Sequence, residues 1–197
     1  MEAGHRLCLH SPGPEPTRAM GSCLARAWRA SCSPDGVSSA LRGRECLVIS
    51  LVGALGVGKT VFVKGLARGV EIAEEAVSSP TFVLANQYAS PVDGVVLHHV
   101  DFYRLEAIEE LETMGFYDLM ARDCLLAVEW GARFSEALPL DRIEVVIEMD
   151  PGGEPDTRIF RIQGTGPQSV DLMRAWEDEM AGEGISAVSG ADRDIRV

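Results

Sequence analysis

Lysine is almost absent from this sequence: of its 18 basic residues only Lys59 and Lys64 are lysines, and the other 16 are arginines. Positive charge is scarce altogether, because 30 acidic residues bring the formal net charge to −12. Residues 47–170 alone hold nine basic and 19 acidic side chains, and no basic stripe occurs anywhere. A field of that sign repels a phosphate backbone, which argues against an independent DNA or RNA binder. The five cysteines, Cys8, Cys23, Cys32, Cys46 and Cys124, form no CxxC pair. An odd set without that spacing argues against a disulfide framework and against a zinc site, and it fits a reducing cytoplasm. Long apolar runs are missing too. The longest, Cys46 to Val57, is interrupted by Ser50, Gly53 and Gly56 and is too short to span a bilayer. The opening MEAGHRLCLHSPGPEP has no apolar stretch of the secretory kind. These absences predict a soluble, cytoplasmic protein with no membrane association.

What is present is a globular composition, 46% hydrophobic and 24% charged in 197 residues, enough for one α/β domain with a real core. Pro12, Pro14 and Pro16 predict an extended or flexible leader over 1–16. Thr17 is placed to cap a helix through Trp28, with Met20, Leu24 and Ala27 at helical spacing. Residues 31–44 are Ser- and Gly-rich and read as a loop insertion. CLVISLV, TFVLANQY, VVLHHVDFY, LLAVEW, RIEVVIEM and RIFRIQ read as strands, the last two as a hairpin across PGGEPDT. Helices are expected from Lys59 to a stop at Gly69, over 106–114, and over 169–181, with a flexible tail at 182–197. The domain proper is expected over 17–168, as a central sheet flanked by helices on both faces.

One motif carries chemistry directly. Gly53-Ala54-Leu55-Gly56-Val57-Gly58-Lys59-Thr60 satisfies G-x-x-x-x-G-K-[ST], between an apolar strand and a helix. Glycines let successive backbone N–H groups turn inward on phosphate oxygens, and the following helix aims its N-terminal dipole at the same anion. Lys59 is placed to bridge the β- and γ-phosphates, and the Thr60 hydroxyl to ligate magnesium. One of only two lysines thus stands where such a loop requires it. Lys64, one turn further on, reads as a solvated surface charge.

A phosphate loop needs a carboxylate on a neighbouring strand to hold a hydrated divalent ion. Asp101 ends one apolar strand and Glu129 another, at the carboxyl ends where ligands gather in open α/β sheets. Either acid could equally start a helix. His99 shares a strand face with Asp101; a transition-metal site of His98, His99 and Asp101 lacks a fourth ligand, so a hydrogen-bonding histidine is the better reading. Ser78-Ser79-Pro80-Thr81 is either a polar turn or a segment whose Thr81 reaches the γ-phosphate.

Taken in order, GALGVGKT, SSPTFVL, HHVDFYRL and VEW resemble the TsaE (YjeE) family of small bacterial P-loop ATPases, which serve threonylcarbamoyladenosine synthesis in tRNA. The likeness runs from about Thr17 to about Arg158. SPTF followed by H-x-D-x-Y-R and E-W makes it far more specific than the loop alone. The resemblance implies that Leu55, Gly56, Val57, Gly58, Lys59 and Thr60 wrap the ATP phosphates, with Thr60 and Glu129 on Mg²⁺. It implies that Trp130 and Arg158 contact the nucleotide, that Thr81 belongs to a switch-like segment, and that Asp101 serves hydrolysis. It implies as partners the threonylcarbamoyltransferase TsaD and its companion TsaB, with hydrolysis remodelling their complex. Three departures stand out: Ala54 where the family usually has Asp, Gly131 where proline often follows E-W, and a long 31–44 stretch. Two rival readings share the loop: a small-molecule or nucleoside kinase, for which no Arg-rich lid is evident, and a non-hydrolysing nucleotide-gated binding module. The Val170/Met173/Trp176/Met180 stripe could meet a partner in the second case, although such a stripe more often packs on its own sheet.

Overall fold

The computed structural model describes residues 5–31, 46–80, 83–120 and 124–187. In chain order the elements are β1 (Arg6–Ser11), α1 (Pro14–Ser31), β2 (Leu47–Val52), α2 (Lys59–Gly69), β3 (Ala85–Ala89), β4 (Val96–Asp101), α3 (Glu109–Thr113), β5 (Cys124–Glu129), β6 (Ile143–Met149), β7 (Arg158–Gly164) and α4 (Pro167–Gly182). The seven strands form one sheet in the order β1-β7-β6-β2-β5-β4-β3. Its centre, β6-β2-β5-β4, is parallel, and antiparallel strands close both edges. The continuous apolar runs of β2 and β5 fit this arrangement, since a central parallel strand is covered on both faces.

The two faces are covered differently. α1, α2 and α4 lie together on one face, where Leu24, Phe62, Leu66 and Trp176 pack onto Ile49, Leu51, Val145 and Phe160. Over the opposite face of the central strands lie α3 and two 3-10 turns, Phe116–Leu119 and Gly131–Ala137, where Leu111 and Phe116, with Phe102 just after β4, join Val48, Leu126 and Val128 in a second core. The stripe on α4 belongs to the first of these cores: Met173, Trp176 and Met180 are buried there, and the Trp176 indole donates to the Met20 carbonyl.

Several expected boundaries are corrected. The predicted leader contains β1, which pairs with β7 (Leu7 opposite Ile162, Leu9 opposite Phe160) and buries both leucines. Alternation in RLCLHS is its signal, and the prolines behind it mask that signal. Pro14 opens α1, a position where a missing N–H costs nothing. Thr17 therefore sits inside the first turn, with its hydroxyl on the Gly13 carbonyl, rather than capping the helix. α4 likewise opens at Pro167. β3 is shorter than TFVLANQY because the N–H groups of Val83 and Leu84 both turn back to the Pro80 carbonyl, and Leu84 has φ +65°. α3 starts late because the Glu110 carboxylate folds back onto the N–H groups of Glu106 and Ala107. The β6–β7 hairpin is present in full register, Ile143 opposite Gly164 through Met149 opposite Arg158. Among the described residues Cys8, Cys23, Cys46 and Cys124 are joined in no disulfide; Cys32 and the 31–44 insertion beyond Ser31 and short of Cys46 lie outside the described residues.

Candidate functional site

β2, β4 and β5 are neighbours or next neighbours in the sheet, so their carboxyl ends meet at one edge. Gly53 follows β2, while Asp101 ends β4 and Glu129 ends β5 directly opposite each other in register. A cleft of about 270 Å³ lies there, lined by the phosphate loop together with Ser79, Asp101, Tyr103, Glu129 and Trp130. The loop geometry needs its glycines. Gly58 has φ +116° at the start of α2, and a Cβ on Gly53 (φ +150°) would lie 2.4 Å from the Ile147 carbonyl oxygen.

Lys59 is only 4% exposed. Its ammonium donates to the carbonyls of Gly53 and Ala54, each at 2.9 Å, and lies 4.4 Å from the centre of the Trp130 ring. Burial holds its pKa below the ordinary lysine value, against the pull of the Glu129 and Asp101 charges. The Ala54 contact runs through its carbonyl, so it does not depend on the side chain at that position.

The Thr60 hydroxyl donates to Glu129 Oε1 at 2.6 Å, and His99 Nε2 meets the same oxygen at 2.9 Å. Burial alone would raise the Glu129 pKa, but these two hydrogen bonds and the Lys59 charge outweigh it, and the carboxyl sits below its usual value. Asp101 Oδ1 accepts the Tyr103 N–H at 2.9 Å. Trp130 adopts a left-handed backbone, φ +61°, a strained state for a bulky residue, and its N–H is tied to the Leu51 carbonyl at 2.8 Å. Its ring stacks at 5.1 Å from Tyr103, so both aromatics wall the same side of the cleft. The oxygen donors Thr60, Glu129 and Asp101 are hard ligands that suit Mg²⁺, and the loop amides with Lys59 suit phosphates.

Of the residues singled out in sequence, Leu55, Gly56, Gly58, Lys59, Thr60, Asp101, Glu129 and Trp130 line this one cleft. Val57 is buried beneath the loop, and its carbonyl receives Arg158 Nε at 2.9 Å. Arg158 thus braces the loop from behind; its other bonds run to the Pro155 and Thr157 carbonyls. Thr81 lies outside the described residues, while Ser79 from the same segment lines the cleft. His98 and His99 alternate to opposite faces of β4, so the conceivable His98–His99–Asp101 metal trio is not assembled. Tyr103 and the His99–Glu129 link were not assigned from sequence. The first could have been suspected from H-x-D-x-Y, whereas the second depends on strand register.

The profile of the TsaE family, described as threonylcarbamoyl adenosine biosynthesis protein TsaE, matches residues 12–158. A protein of Streptomyces coelicolor named tRNA threonylcarbamoyladenosine biosynthesis protein TsaE is 38% identical over 121 residues, 60% of this chain and 80% of that one. The protein of the same name from Bacillus subtilis is 40% identical over 102 residues, 51% of this chain and 61% of its own, and that of Aquifex aeolicus 38% over 128 residues, 64% and 85%. The crystal structure of Bacillus subtilis YdiB superposes with a TM-score of 0.63 at 25% identity, over 90% of this chain and 98% of that one. With the profile spanning most of the domain and the same fold in a solved structure, this chain belongs to the TsaE family.

Proposed function

We propose that this protein is an ATP- and Mg²⁺-dependent ATPase that supports threonylcarbamoyladenosine formation in tRNA by remodelling a partner threonylcarbamoyltransferase complex of TsaD- and TsaB-type proteins. The observation that carries it is the meeting of Lys59, Thr60, Asp101 and Glu129 around one cleft at the mouth of a phosphate loop, in a chain of this family. Backbone N–H groups of Leu55 to Thr60 receive the phosphate oxygens at the positive end of α2. Lys59 moves from the Gly53 and Ala54 carbonyls to the β- and γ-phosphates, and because those carbonyls hold it nearby, the move is short. Thr60 gives its hydrogen to Glu129, which leaves its oxygen lone pairs for a cation. A Mg²⁺ ion held by Thr60 and Glu129 would supply positive charge against the phosphates. Asp101 adds a second carboxylate, and Trp130 and Tyr103 exclude water from one wall. Arg158 acts through Val57, keeping the loop curled. A net charge of −12 suits a subunit that reaches tRNA only through its partners.

Phosphate release from ATP by the purified chain, alone and with TsaD and TsaB, tests this reading. Slow Mg²⁺-dependent release that rises when both partners are present is the expected result. ADP formation only when a small-molecule acceptor is added would make the protein a kinase, and tight ATP binding without turnover in the full complex would make it a binding module.

A further inference from the structure

Behind the cleft stands a histidine that does not line it. His99 is fully buried on β4, beneath the cleft, and its Nε2 lies 2.9 Å from Glu129 Oε1. That same oxygen receives the Thr60 hydroxyl at 2.6 Å. Two donors therefore converge on one carboxylate oxygen, and among the described residues Oε2 of Glu129 has no hydrogen bond. The other ring nitrogen of His99, Nδ1, is buried and also without a partner among the described residues. A lone pair left unpaired there costs less than an unpaired N–H in a dry site, so the hydrogen belongs on Nε2, facing Glu129. Strand register makes room for the ring. Opposite His99 on β5 stands Ala127, two residues before Glu129 on the same face, and its methyl leaves space for an imidazole where a larger side chain would fill it.

We propose that His99 is a positioning residue for the cation site: it pins Glu129 Oε1, leaves Oε2 for the cleft, and through the shared oxygen fixes the direction of the Thr60 hydroxyl. This rests on the reading of Thr60 and Glu129 as cation ligands. His99 touches neither nucleotide nor metal. It acts by holding one carboxylate rotamer, as the imidazole–carboxylate links behind many metal ligands do, where removing the outer partner typically weakens metal binding about 10–100-fold.

Mn²⁺ serves as the probe, its binding to the ATP-loaded full-length protein followed by electron paramagnetic resonance, with metal-free ATP affinity followed in EDTA by Trp130 fluorescence. His99→Leu is expected to weaken Mn²⁺ by about tenfold or more while metal-free ATP affinity stays within about twofold. His99→Gln, which presents an N–H at the distance of Nε2, is expected to recover most of the loss. In a Glu129→Gln background His99→Leu should cost little more. Unchanged Mn²⁺ affinity in His99→Leu, or equal losses in the Leu and Gln variants, would overturn the proposal and leave the cation site standing. If instead Glu129→Gln and Thr60→Ala leave Mn²⁺ affinity unaltered, the underlying reading of the ligands is the one that falls, and the proposal with it. Nitrogen-15 NMR of the wild-type histidines gives an answer that needs no variant to fold: the His99 hydrogen is expected on Nε2, and finding the Nδ1–H tautomer would refute the arrangement.

Discussion

At the scale of single residues, the phosphate-loop lysine shows how burial and charge divide the work. Lys59 has two carbonyl acceptors and an aromatic face in place of water, so its charge is held inside the protein before any phosphate arrives. Lys59→Ala is therefore expected to lower ATP affinity by at least tenfold, since a hydrogen bond to a charged group is worth about 1.5–3 kcal/mol. The same substitution should shift unfolding free energy by less than about 1 kcal/mol, because the freed carbonyls face a cleft that water can enter. Isothermal titration with ATP and urea denaturation of the same sample measure both; retained ATP affinity would remove Lys59 from the phosphate site. Trp130 belongs to the same scale. Its strained backbone and its place over Lys59 make it a reporter, so its fluorescence should change when ATP draws the ammonium away.

At the scale of elements, the phosphate loop is only as firm as the helix behind it, and α2 is held by its crossing with α1. That crossing is built on glycine. A Cβ on Gly65 would sit 2.2 Å from the Arg18 carbonyl oxygen, and one on Gly21 would sit 2.4 Å from that of Phe62. Gly65→Ala must therefore push the helices apart, and a loss of about 1–3 kcal/mol is expected from overpacking, read as a fall in melting temperature. A wild-type melting temperature in that variant would mean the helices adjust freely. On the surface of the same crossing, Glu15 accepts from Arg68 at 2.7 Å and from Arg18 at 2.9 Å. The Arg68 hydrogen bond leads in holding the Glu15 carboxyl below its ordinary value of 4.5. A depressed value in the folded state means that the contribution is complete above about pH 4.5 and disappears as pH falls through the folded value. Because Glu15 is mostly exposed, Glu15→Gln should cost no more than about 1 kcal/mol at neutral pH. The difference from wild type should narrow as pH falls below about 4.5, as measured by urea denaturation across that range. A gap that persists in acid would assign the effect to packing instead.

At the scale of the molecule, shape and charge support the proposed indirect relation to RNA. The sheet brings the phosphate loop, Asp101 and Glu129 to one edge, while 30 acidic residues against 18 basic ones make a net field unfavourable to a polyanion. In a mobility-shift assay at physiological salt, the isolated chain is expected to leave tRNA unshifted at about 10 µM, a concentration within the usual range of non-specific dissociation constants. A salt-sensitive complex at that concentration would show that a local basic face overrides the net field. Much of this architecture was legible in the sequence because it is written locally. GALGVGKT is a turn, a dipole and a cation within eight neighbouring residues, and the apolar runs of β2 and β5 announce central strands by their lack of alternation. Asp101 and Glu129 could be nominated as strand-ending acids, but their apposition across β4 and β5 could not, since register is set by the packing of two whole strands. The same reason hid His99 behind Glu129 and placed Arg158 against the Val57 carbonyl, 101 residues away in the chain. It also hid β1, whose six residues become a strand only when β7 supplies the partner. By itself, then, the sequence determined which residues could curl around a phosphate, because that depends on backbone freedom and local charge. Which side chains stand behind them was decided by tertiary structure alone, because hydrogen bonds between distant strands exist only once the sheet has closed.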